Sequence, residues 1–141
     1  MTEAVRQFVR DRAAHRCEYC QLHQDNSPLA ALHIEHIRPR KHGGTDDGDN
    51  LALACIDCNL RKGPNLTGID PGTGAVTLLF HPRQDSWAAH FEWQGMHLLG
   101  RTTIGRTTVE VLELNSDDRL DLRLATGTSG NPSRSPGSRA G

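Results

Sequence analysis

The amino-acid sequence predicts an α+β fold whose core is stapled by a four-cysteine metal site. Three observations carry this. Two Cys-x-x-Cys pairs, Cys17/Cys20 and Cys55/Cys58, are separated by 34 residues between Cys20 and Cys55. The span between them reads as strand, glycine-rich loop, strand and helix. Core material is thin: the chain is 35% hydrophobic, with two tryptophans, one tyrosine and three phenylalanines, so a further constraint on it is expected.

Residues 2–14 read as a helix. Thr2 can cap it, Glu3 suits the first turn, and Val5, Phe8, Val9 and Ala13 recur on one face. A tight turn follows at residues 17–20. Residues 29–37 alternate enough for a strand, ending at Pro39, and residues 42–49 are dense in turn formers. A return strand is expected at 50–54, then a turn into a helix over 55–62, stopped by Gly63-Pro64.

Beyond this core, residues 65–75 read as loop with a strong turn signal at 70–74, followed by a strand at 76–80. Residues 87–93 and 96–99 suggest a small C-terminal β-hairpin around Gln94-Gly95, with Trp87, Phe91 and Trp93 as core. Helical spacing runs from 104 to 114, and Asn115-Ser116 caps a last helix to about residue 125. Residues 126–141 are Gly, Ser, Pro and Arg with almost nothing apolar, so a disordered tail is expected. Residues 1–125 are expected to form one domain, with its core at 13–64 and an elaboration at 65–125.

Charge is nearly balanced, 16 Lys+Arg against 17 Asp+Glu, so the total does not itself point to nucleic acid. Locally, Arg38, Arg40, Lys41, Arg61 and Lys62 flank the segment between the cysteine pairs. The N-terminus is charged at once and no apolar run nears the ~20 residues of a membrane span, so a cytoplasmic location without membrane association is expected. Paired thiols in that compartment bind metal more often than they form disulfides. A redox pair would need one Cys-x-x-Cys in a βαβ pattern, and two are present. Two knuckles instead complete a closed tetrahedral zinc site, which stabilises and leaves no position for substrate. Chemistry must then lie in the insert.

That insert is specific. His33-Ile34-Glu35-His36-Ile37-Arg38-Pro39-Arg40 leads to Gly43-Gly44, Asp49-Asn50-Leu51 and Cys55-x-x-Cys58-Asn59-x-x-Lys62-Gly63. An imidazole stands beside a carboxylate, with one amide fourteen residues after His36 and a second nine beyond it. Over about residues 13–64 the pattern resembles the HNH endonucleases, which implies a ββα-metal core and a nucleic-acid substrate, expected to be DNA.

The resemblance implies roles by position. His36 is the counterpart of the general base that deprotonates water, which a largely neutral imidazole can do. Glu35 and Asn59 resemble the protein ligands of one catalytic cation, and hard oxygen donors suit Mg²⁺ or Mn²⁺. Asn50 resembles the amide that braces the loop and orients His36. Products would be a 5′ phosphate and a 3′ hydroxyl. Asn59 and Glu35 depart from the commoner His and Asp of the family. Arg38, Arg40 and Lys62 flank the strand and helix where a phosphate backbone would pass. The alternative expectation is an inactive zinc-ribbon module that binds nucleic acid without cutting it.

Overall fold

The computed structural model describes residues 1–27 and 30–127. Helix α1 (Glu3–Arg12) begins where Thr2 Oγ1 accepts from the Val5 amide at 3.2 Å, and Glu3 and Arg12 sit at the ends that suit their charges. Val9 is fully buried beneath it. Phe8, expected on the same face, is 53% exposed instead and lies under the Arg12 guanidinium, 4.9 Å from the ring centre.

The chain then turns through Ala14 and His15, both in the left-handed region, into the first knuckle at 17–20. Strand β1 (His33–His36) pairs antiparallel with β2 (Leu51–Ala54), His36 opposite Leu51 and Glu35 opposite Ala52. The strand expected over 29–37 is shorter for two reasons. The Leu32 amide donates to the Gln24 side chain at 2.7 Å, and the residue after Ala54 is Cys55, already committed to the second knuckle. Leu29 lies outside the described residues. Helix α2 (Ile56–Lys62) follows, capped by the Cys55 sulfur, which accepts from the Cys58 amide at 3.4 Å.

The elaboration contains two further hairpins and three helices. Strand β3 (Thr67–Ile69) pairs with β4 (Val76–Leu78) across the turn at 70–74. β3 corrects the reading of 65–75 as loop. It is only three residues long and contains Gly68, where a Cβ would meet Val111 Cγ2 at 2.4 Å, so tertiary packing and not propensity creates it. Helix α3 (Trp87–His90) replaces the first half of the expected hairpin strand, and the Trp87 indole N–H reaches back to the Tyr19 carbonyl at 2.8 Å. Strands β5 (Phe91–Gln94) and β6 (His97–Gly100) form the hairpin proper, and α4 (Thr103–Val111) packs against it.

Helix α5 (Asp117–Thr126) starts at Ser116, whose hydroxyl accepts from Arg119, and ends at Gly127 in the left-handed region at φ 72°. Thr126, expected in the tail, therefore belongs to α5; residues 128–141, the rest of the expected tail, lie outside the described residues.

One buried cluster draws on both parts of the chain. Val9, Tyr19, Leu51 and Leu53 meet Phe80, Phe91, Leu98 and Leu112, with the four cysteines among them. Phe80 stands edge-on to Tyr19 at 6.2 Å and to Phe91 at 5.2 Å. Cysteine thus supplies interior volume that the scarce aromatics do not.

Candidate active site and metal centre

The sulfur atoms of Cys17, Cys20, Cys55 and Cys58 lie within 4.8 Å of one another, all buried and none in a disulfide. Cys20 and Cys55 are 3.7 Å apart at sulfur. A tetrahedron of thiolates ~2.3 Å from its ion has edges of roughly 3.8 Å, so the spacing fits a coordinated metal and is far too long for a disulfide of about 2.05 Å. Burial pushes the Cys17 and Cys58 thiols well above their ordinary range, so full ionisation of the set needs a cation at its centre. The four cysteines are positioned to form a metal site, one that would leave no open position.

The negative charge that the four thiolates would carry is met from α5. Arg119, 6% exposed, places Nη1 3.3 Å from Cys58 Sγ and 3.9 Å from Cys55 Sγ while Nη2 donates to the Leu112 carbonyl at 2.9 Å. Burial disfavours its charge, but the surrounding thiolates outweigh that and hold the guanidinium ionised. Arg123, one turn on, is also buried, whereas Leu124 is two-thirds exposed. The helix buries its arginines and shows a leucine to solvent, a reversal that hydrophobic periodicity cannot reveal.

On the other side of the β1–β2 hairpin lies the polar loop. Asn50 holds it: Oδ1 accepts from the Arg38 amide at 2.8 Å, and Nδ2 donates to the carbonyls of Arg38 (3.0 Å) and Thr45 (2.8 Å). Gly44 is required beside it, because a Cβ there would fall 1.6 Å from the Arg38 carbonyl oxygen. Among the described residues the Asn50 side chain makes no hydrogen bond to His36. The contact comes from the residue after Thr45: His36 Nε2 and Asp46 Oδ1 are 2.7 Å apart, and Arg40 Nη2 donates to the same oxygen at 2.6 Å. Hydrogen bonds first from His36 and then from Arg40 hold the Asp46 carboxyl below its usual range. Nothing in the spacing of the motif marks Asp46, because the loop that delivers it has no periodicity.

Glu35 points the opposite way, as strand alternation requires. It is 6% exposed; the Tyr19 hydroxyl donates to Oε1, and the Lys62 ammonium lies 3.4 Å from Oε2. Burial raises the Glu35 carboxyl above its ordinary value despite Lys62 and Tyr19, which favour the charge. Lys62 also donates to the carbonyls of Ile37 (2.9 Å) and His36 (3.4 Å). This corrects the expectation that Lys62 contacts substrate phosphate: its head is 2% exposed and fully engaged, tying α2 to the end of β1. Arg38 and Arg40 remain on the surface. Asn59, three residues before Lys62 on α2, is half-buried, and its side chain makes no hydrogen bond among the described residues. A cleft of about 500 Å³ opens beside Arg38 and Asn50, but Asp47, Asp49 and Asp85 on its walls make it a poor seat for phosphate.

The model of the HNH endonuclease family matches residues 17–65, from the first knuckle to just past α2. Residues 17–65 form an HNH domain. The chain is also similar to Septu protein PtuB of Bacillus thuringiensis, 29% identical over 116 residues, covering 80% of this chain and 42% of that protein. It therefore spans about two-fifths of the length of that curated relative. No solved structure matches. No helix among the described residues is long and apolar enough to cross a membrane.

Proposed function

We propose that this chain is a metal-dependent endonuclease that hydrolyses phosphodiester bonds in DNA, with His36 as general base and the four cysteines holding structural zinc. The observation that carries the reading is the placement of His36. Its imidazole stands partly exposed at the end of β1, beside a loop braced by Asn50, with Arg38 and Arg40 exposed just after it. A neutral imidazole so held can accept a proton from water, while the two arginines position the phosphate backbone.

Glu35 and Asn59 would hold the catalytic cation. Glu35 Oε2 and the carbonyls of His36 and Ile37 already converge on one positive charge, the Lys62 ammonium. Such hard donors would suit Mg²⁺ or Mn²⁺ in place of that ammonium. When bound, the ion supplies Lewis-acid stabilisation of charge on the phosphoryl oxygens.

The test is nicking of supercoiled plasmid in Mg²⁺ or Mn²⁺. Wild type is expected to cut and His36→Ala to lose at least about a hundredfold in rate, as removal of a general base does. Equal cleavage by both proteins overturns the assignment. One observation favours a second reading, an inactive nucleic-acid-binding module: Glu35 is enclosed by Tyr19 and Lys62. That reading requires steeply salt-dependent binding with no cleavage under any divalent ion.

A further inference from the structure

We propose that Asp46 is the positioning residue of the HNH site, a carboxylate that fixes the tautomer of His36 so that its Nδ1 carries the lone pair. The proposal rests on the nuclease reading above but makes a separate physical claim.

An ionised carboxylate only accepts hydrogen bonds. At 2.7 Å from Asp46 Oδ1, the neutral imidazole must therefore keep its proton on Nε2. The other nitrogen, Nδ1, is then unprotonated, and it forms no hydrogen bond among the described residues. A general base needs such a nitrogen, held in a fixed orientation. Arg40 keeps the acceptor in place by donating to the same Oδ1 at 2.6 Å, and Asn50 sets the approach by holding the Thr45 carbonyl one residue earlier. The loop between the strands thus has a chemical task beyond connection. Its glycine turn and amide brace carry a carboxylate ten residues along the chain back onto the base.

Because Arg40 claims the same oxygen, exchanging Asp46 for Asn inverts the bond only where that donor is also removed, in the double variant D46N/R40M. The amide can donate to Nε2, which moves the ring proton to Nδ1 and removes the lone pair from the working nitrogen. Asp46 is exposed and buries no apolar surface, so the variant should fold as wild type does. Two measurements decide the matter on the full, metal-loaded chain. The first is nitrogen-15 NMR of labelled histidine, which reads the tautomer without reference to activity. Wild type and R40M should show His36 with its proton on Nε2, D46N/R40M should shift it to Nδ1, and D47N, altered at a neighbouring carboxylate that touches no ring, should match wild type. The second is steady-state cleavage. D46N/R40M should lose on the order of 10² to 10⁴ in kcat relative to R40M, with little change in KM between the two, while D46E keeps most of the wild-type kcat.

Wild-type His36 protonated at Nδ1, no tautomer change between R40M and D46N/R40M, or equal kcat for those two variants overturns the proposal. Failure of the nuclease reading looks different: the wild-type protein then cuts nothing, while the NMR experiment still reports whether Asp46 sets the ring.

Discussion

The two sides of the β1–β2 hairpin are built on opposite principles. On one side four cysteines, none more than 5% exposed, are packed among leucines and backed by a buried arginine. On the other, His36, Asp46 and Arg40 share one exposed network held by a single amide and a glycine turn. The metal side gains its strength from coordination and desolvation, where any loss propagates through the core. The loop side is solvated, so its bonds are individually weak and serve direction. Between them runs the buried Glu35–Lys62 pair, which belongs by burial to the first and by sequence to the second. Stability and chemistry should therefore respond to different substitutions.

The largest effect should come from the metal. Chelation, or Cys58→Ser, removes coordination worth on the order of 10 kcal/mol in structural zinc sites, which exceeds the stability of most small domains. Circular dichroism is expected to show loss of cooperative unfolding, and α5, tethered through Arg119, should lose hydrogen-exchange protection together with the knuckles. A chelated protein that still melts cooperatively would break the contrast at its stronger end.

Next is Lys62→Met. It leaves Glu35 buried without its ammonium, at a cost of about 3–5 kcal/mol at neutral pH by urea unfolding. The pH dependence has a definite sign. Burial already raises the Glu35 carboxyl, so between its ordinary and its native value the folded chain holds a proton that the unfolded chain has released. Stability therefore falls as pH climbs from the ordinary carboxylate range to the raised native value. Without Lys62 that decline should continue to higher pH. A pH-independent difference between the two proteins would show that Glu35 does not depend on Lys62 for its charge.

The smallest effect on stability, with the largest separation from function, is expected for Asn50→Ala. Three hydrogen bonds to partly solvated backbone are lost, about 1–2 kcal/mol in total. Cleavage should nevertheless fall far more than folding, because the loop that carries Asp46 is released. Parallel losses in melting temperature and kcat would erase the distinction between the two sides.

Much of this was legible beforehand because it is local. Cysteine spacing marks the knuckles, Thr2 and Ser116 mark helix starts, and the order of elements between the knuckles follows from periodicity and glycine. The rest was hidden for identifiable reasons. β3 exists because Gly68 admits Val111, a contact between residues far apart in sequence. Lys62 resembles any surface lysine near a basic motif, yet it is drawn inward by two strand-end carbonyls and Glu35. Arg119 sits among leucines that periodicity would have turned inward, and only the thiolate charge explains its burial.

By itself the sequence determined which atoms are available for chemistry: four thiols in two knuckles, an imidazole beside a carboxylate, and amides at set intervals. It could do so because these motifs depend on short spacings that backbone geometry fixes. Tertiary structure alone decided which groups face each other, setting Asp46 on His36, Lys62 on Glu35 and Arg119 on the cysteines. Those pairings follow from the need to partner charge wherever water is excluded or a ring must be held, and that need arises only once distant segments have packed.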